Sequence, residues 1–100
     1  MAHFTTRVEL HGATKADYDN LHTYMAAARF RRSITSDRGV VYQLPTAEYD
    51  SHGDLSALDV HRLASAAAAK TGKKYWVLVT EAAARVWTLD ANPLAVLSNW

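Results

Sequence analysis

The stretch FRRSITSDRGVVYQL, Phe30 to Leu44, decides the fold. In an extended chain Phe30 and Ile34 fall on one side, and Arg31, Ser33 and Thr35 on the other. Arg32 takes the inner parity, which suits an edge or a dimer seam. Ser36, Asp37, Arg38 and Gly39 have the composition of a tight turn, and Gly39 suits a positive φ. Val40 to Leu44 then reads as a returning strand, so the stretch is a β-hairpin. Pro45 has no N–H to give to a ladder, so the second strand ends, bulges or runs along an edge there.

Outward from the hairpin, each flank repeats a strand and a helix. Phe4, Thr6, Val8 and Leu10 alternate with Thr5, Arg7, Glu9 and His11, the pattern of a strand buried on one face. Thr14 with Asp17 forms a capping box, after which Tyr18, Leu21, Met25 and Ala28 recur at helical spacing over 15–28. Downstream, Thr46 to Gly53 reads as either extended chain or loop. Ser56 with Asp59 is a second capping box, opening a helix over 56–70 with Val60, Leu63, Ala64 and Ala67 as its buried stripe. Gly72 supplies the stop. Tyr75 to Val79 is apolar on both faces, as expected of a strand covered on both sides, either by flanking helices or by a partner chain over its second face. Arg85 to Leu89 is a candidate further strand, and Asn92-Pro93 opens a candidate helical turn over 93–98.

The resulting order, β-α-β-β-α-β plus a candidate C-terminal strand and short helix, is that of an α+β, ferredoxin-like domain with both helices on one face of a mostly antiparallel sheet. The expected core is Val8, Leu10, Leu21, Met25, Ile34, Tyr42, Leu63, Val77 and Val79. One hundred residues, 49% of them hydrophobic, suffice for a single domain over 1–100.

Composition removes several classes of function. Eleven Lys and Arg against ten Asp and Glu give a net charge of +1, which excludes a strongly basic nucleic-acid tail and an acidic disordered one. The chain has no cysteine, hence no disulfide scaffold, thiolate zinc site or cysteine nucleophile. No apolar run has the length of a membrane span, and Met1 to His11 lacks the pattern of a signal peptide, so a cytoplasmic location is the default. No Gly-x-Ser-x-Gly, P-loop or dinucleotide fingerprint occurs. The sequence calls for no cofactor, no membrane partner and no DNA.

The remaining chemistry lies in clusters. Arg29, Arg31, Arg32 and Arg38 gather at the first helix exit and along the hairpin, where guanidinium groups and the Ser33 and Thr35 hydroxyls suit a phosphate backbone. Solvated strand residues that blunt a sheet edge are the alternative. Lys70, Lys73 and Lys74 make a second cluster, equally suited to complement a helix C-terminus. Glu48, Asp50 and His52 share one parity if Thr46 to Gly53 is extended, and suit acid–base work or a divalent ion, though the spacing matches no strong metal motif. Tyr49, Trp76, Trp87 and Trp100 exceed what a small core needs. They suit base stacking or, preferentially for Trp76 and Trp87, a homodimer through the sheet face or edge.

The helix–hairpin segment, Tyr18-Asp-Asn-Leu-His-Thr-Tyr-Met through Phe30-Arg-Arg-Ser-Ile-Thr-Ser to Tyr42-Gln-Leu, resembles the GhoS family of small bacterial proteins, antitoxin endoribonucleases of type V toxin–antitoxin systems. The likeness covers roughly residues 4–80 and rests on segment order and on a short helix, Phe-x-x-Ser-Ile, a turn with Gly and a strand with Gln-Leu. It implies a ferredoxin-like fold akin to the small CRISPR-associated nucleases, and cleavage of the messenger RNA of a membrane-active toxin. The expected function is therefore RNA binding or cleavage, with Arg29, Arg31, Arg32 and Arg38 on phosphates. Without a metal, His52 or His11 is the candidate base for a ribose 2′-OH. The alternative is a non-enzymatic dimeric binding module.

Overall fold

A computed structural model describes residues 1–92. The chain is α+β, with two helices and five strands among the described residues, all strand pairs antiparallel. The elements are β1 (Ala2–Leu10), α1 (Lys15–Ala27), β2 (Ser33–Thr35), β3 (Val41–Gln43), β4 (Glu48–Gly53), α2 (Ala57–Ala69) and β5 (Tyr75–Glu81). None of the described helices is long and apolar enough to cross a membrane.

β1 is the centre of a three-stranded sheet of order β4-β1-β5. Its alternation is realised as read: Phe4, Thr6, Val8 and Leu10 are buried, and Arg7 and Glu9 are exposed. Thr6 stands opposite Tyr49 of β4 and Val79 of β5, which fixes the register on both sides. Both helices start at the capping boxes read from the sequence, Thr14 with Asp17 and Ser56 with Asp59. Leu21 and Met25 of α1 and Val60, Ala64, Ala67 and Ala68 of α2 close over the inner face, forming one core with Phe4, Val8, Leu10, Phe30 and Tyr49. The alanines bring α2 close to the sheet. Leu63, expected in the core, lies on the flank of this stripe and is 43% exposed.

The hairpin forms as a separate two-stranded sheet, with Ile34 opposite Tyr42. The strand beside β1 is instead β4, from the segment whose reading was open between strand and loop. Only an isolated bridge, Arg31 with Asp50, ties the hairpin's entry to the main sheet. Ser33, expected to face outward, is buried beside Ile34, because the bend at Arg32 breaks the alternation. Tyr42 is half-buried.

Two expectations about the C-terminal part change. No helix covers the second face of β5 among the described residues: Tyr75, Val77 and Val79 pack inward, whereas Trp76 is 59% and Leu78 65% exposed, which removes the alternative of flanking helices on both sides. Residues 85–89 form no strand. Instead 82–92 is an extended strap from the end of β5 to the hairpin. Arg85 bonds to Asp50 on the way, and the Gln43 and Asn92 amides bond to Asp90 and Val41 carbonyls at the far end. Trp87 meets Tyr42 edge-on, with ring centroids 5.8 Å apart. The candidate turn over 93–98 and Trp100 lie outside the described residues.

Candidate functional site

The exit of α1 shapes the first part of the site. Arg29 has φ 70°, the left-handed conformation usually given to glycine at this place. It lets the Arg29 N–H reach the Ala26 carbonyl and the Phe30 N–H reach that of Met25, both at 3.0 Å. Phe30 then plugs the core, and Arg31 turns outward. Arg31 and Asp50 exchange backbone hydrogen bonds of 2.8 and 2.7 Å, which fixes Arg31 against β4.

The outer face of the sheet supplies the second part. Pairing of β1 with β4 sets Arg7 opposite Glu48, Thr5 opposite Asp50 and His3 opposite His52. The two imidazole rings lie with centroids 5.8 Å apart and planes inclined at 42°. Beside them runs the strap, whose Ala82 N–H donates to the His3 carbonyl and whose Arg85 guanidinium donates to the Asp50 carboxylate at 2.8 Å and to Thr5 Oγ1 at 3.3 Å. Asp50 thereby becomes an anchor for the strap, with its charge matched.

Two adjoining cavities open here. One, of about 380 Å³, is lined by Arg29, Phe30, Arg31, Asp50 and His52 among others. The second, of about 750 Å³, lies between hairpin and strap and adds His3, Ser33, Thr35, Asp37 and Arg85. Arg31, Asp50 and His52 line both, so the two form one trough. Its charged groups are Arg29, Arg31 and Arg85 against Asp37 and Asp50, with two imidazoles besides.

The structure thus divides the sequence candidates. Arg29, Arg31, Asp50 and His52 line the trough. Arg38 lies on the exposed hairpin turn. Arg32 is half-buried, its carbonyl accepting from the Leu44 N–H and Gln43 Nε2. Its charge acts on a buried pair on the helix side of the sheet, His22 Nδ1 and the Tyr49 hydroxyl, 2.6 Å apart. Burial, and after it the Arg32 charge, holds the His22 pKa down to about 4. Burial raises that of Tyr49 well above the usual phenol value. Tyr49, read as a candidate exposed aromatic, is fully buried.

His11 is not brought to His52. It follows the opposite end of β1, eight residues beyond His3 and therefore roughly 25 Å along an extended chain. There it stands edge-on to Trp76, with ring centroids 4.3 Å apart, and 3.5 Å from the Glu9 carboxylate. The lysine cluster lies at that same end: Lys74 accepts from the His11 N–H through its carbonyl, and Lys73 is 3.7 Å from Asp17. Glu48 shares the outer face with Asp50 and His52, as its parity requires, but lines neither cavity. Among the described residues no three His, Asp or Glu side chains gather closely enough to hold a metal ion.

Sequence reading missed His3 and Arg85. The outward parity of His3 on β1 is legible, but its partner emerges only from the β1–β4 register. Arg85 reaches Asp50 across 35 residues, and no local pattern signals that contact. Comparison with family models, with curated proteins and with solved structures finds no match to this chain.

Proposed function

We propose that this protein binds RNA, with the phosphodiester backbone lying in the trough between the hairpin, β4 and the strap. The observation that carries the reading is the convergence of exposed Arg29 and Arg31 with two imidazoles on two adjoining cavities that share Arg31, Asp50 and His52. Guanidinium groups pair bidentately with phosphate oxygens, and the trough's hydroxyls add neutral hydrogen bonds. Arg32 and Arg38, assigned to the same patch in the sequence, take no part in this version of it. The near-zero net charge puts affinity on a local cluster and makes it salt-dependent.

The finer fold assignment is also ours: the domain is read as ferredoxin-like. The order β5-β1-β4, with the Arg31–Asp50 bridge continuing to the hairpin beyond β4, supports it. In that arrangement β4 takes the place given in the sequence to 40–44. The GhoS-like expectation of an RNA-directed protein agrees with this reading and adds a messenger-RNA target.

Fluorescence anisotropy with a short single-stranded RNA, across a salt series, tests the proposal. Replacing Arg29 and Arg31 together by alanine is expected to weaken binding and to flatten the log–log salt slope by about 1.4, at ~0.7 per phosphate contact. Unchanged affinity and slope in this variant would overturn the assignment.

A second reading, a homodimer through β5, has its own observation. β5 has one strand neighbour among the described residues, so its other edge is open, and Trp76 and Leu78 are exposed beside that edge. Light scattering over a dilution series tests it, and a mass that stays monomeric at every concentration would remove it.

A further inference from the structure

We infer that His3 and His52 are the acid–base pair of a metal-independent ribonuclease that cuts RNA by transphosphorylation. The inference rests on the trough being an RNA site, and it assigns that site a reaction.

The chemistry needs two proton carriers on either side of one phosphate. One must accept the proton of a ribose 2′-OH while the other gives a proton to the departing 5′-oxygen. Imidazole is the side chain suited to both tasks near neutral pH, since its unperturbed titration falls between pH 5 and 8. His3 and His52 meet the geometric condition. They are direct cross-strand partners on the outer face, with ring centroids 5.8 Å apart, so a phosphate can stand against both rings. Both are exposed, and both line the larger cavity. Rigid strands hold them, β1 being hydrogen-bonded on both sides.

The charged neighbours suit the same step. Facing the pair are Asp50 on β4, Arg31 at the hairpin entry, Arg85 on the strap and Asp37 in the hairpin turn. Asp50 is ion-paired with Arg85 at 2.8 Å, so it does not present a bare negative charge to the phosphate. Arg31, exposed and shared by both cavities, is placed to neutralise the non-bridging oxygens as charge builds on them.

In the step, a neutral imidazole takes the 2′-OH proton, the 2′-oxygen forms a bond to the adjacent phosphorus, and the P–O5′ bond breaks. The other imidazole, protonated at the outset, gives its proton to the 5′-oxygen. The products are a 2′,3′-cyclic phosphate and a free 5′-OH. Nothing is oxidised or reduced, and the pair ends with its one proton exchanged between the rings.

The test uses a pool of short single-stranded RNAs of randomised sequence, in EDTA, with the ends of the products identified. Cyclic phosphate ends are expected, with a bell-shaped dependence of rate on pH. A 2′-O-methyl pool is expected to bind as tightly and to stay intact. His3→Gln and His52→Gln are each expected to slow cleavage of bound RNA, at saturating protein, about a hundredfold or more, far beyond any accompanying loss of affinity. Both positions are exposed, and unchanged thermal melting would show that the fold is kept. Binding without cyclic phosphate products overturns this inference and leaves the RNA-binding reading standing, as does cleavage that survives both substitutions. Absence of binding by the unaltered protein overturns both.

Discussion

Arg29 shows a single residue pulled two ways. At a helix C-terminus the left-handed position favours glycine, because a Cβ there crowds the following carbonyl by roughly 1–2 kcal/mol. The chain nevertheless places an arginine there, at the rim of the trough. Arg29→Gly is therefore expected to raise the melting temperature by about 4–8 °C and to lower RNA affinity, whereas Arg29→Ala lowers affinity with no such gain. Calorimetry beside anisotropy separates the two effects. His22 gives a second prediction at this scale. Its pKa is about 4 in the folded chain against 6.5 as an ordinary imidazole. Below pH 6.5 the unfolded chain takes up a proton that the folded chain refuses. Stability is thus complete above 6.5, falls as pH drops towards 4, with a slope approaching ~1.4 kcal/mol per unit, and levels off below. Urea melts across that window check it, and His22→Gln is expected to remove this component. Asp17 and Asp59, held below 3.8 chiefly by the backbone N–H groups of Thr14 and Ser56, begin to lose their contributions as pH approaches 3.8, at the acid end of the window, and lose the rest below it. The sequence left Tyr49 among the aromatics in excess of the core, because the side on which Tyr49 lies depends on pairing Thr6 with it across 43 residues.

At the scale of the element, local signals were reliable and competition between neighbouring stripes was not. Both capping boxes and the alternation of β1 are written in short patterns, and each formed where read. On α2 the choice between Leu63 and Ala68 as a core position was not local. Hydrophobicity favours the leucine, but a sheet approached closely by a helix has room for alanines, and the face Val60, Ala64, Ala67, Ala68 won. The consequence is measurable. Ala64→Leu is expected to cost about 1–3 kcal/mol by overpacking, whereas Leu63→Ala costs under ~1 kcal/mol because its side chain is already partly in water. Chemical denaturation of the two variants decides it, and the reverse order would mean that the helix is rotated. The strap 82–92 illustrates the other limit. Its residues 85–89 have strand-like composition, yet its anchors are the Asp50 carboxylate and the polar groups of β3. Neither anchor is visible from the strap's own sequence, and without them Arg85 could not be assigned to the trough.

For the whole molecule, the α+β class and one-sided placement of helices followed from element order, while the identity of the strand beside β1 did not. A hairpin and a following strand compete for that edge, and the longer β4, with Tyr49 to bury, takes it. The opposite edge, β5, is open in a single chain. It combines a row of unpaired backbone groups with exposed Trp76 and Leu78, the combination that favours strand-to-strand association. Two copies related by a twofold axis can pair their β5 strands only in registers that match residues of the same face. In the proposed dimer, the register centred on Val77 sets Trp76 of each chain opposite Leu78 of the other, covering both, and, continued two residues before β5, brings Lys73, which also lies 3.7 Å from Asp17 of its own chain, to the level of Glu81. Leu78→Lys is therefore expected to leave a monomer that still folds, since position 78 is outside the core. Glu81→Lys is expected to weaken association about tenfold by opposing like charges across both copies of the contact, an amount suited to exposed pairs. Mixing Glu81→Lys chains with Lys73→Glu chains should restore a heterodimer in which both contacts have opposite charges, one as in the original pair and the other with the two types exchanged. Sedimentation of the separate and mixed variants reads this directly: recovery only on mixing fixes the Val77 register, and equal association of all of them would place the contact elsewhere on the surface.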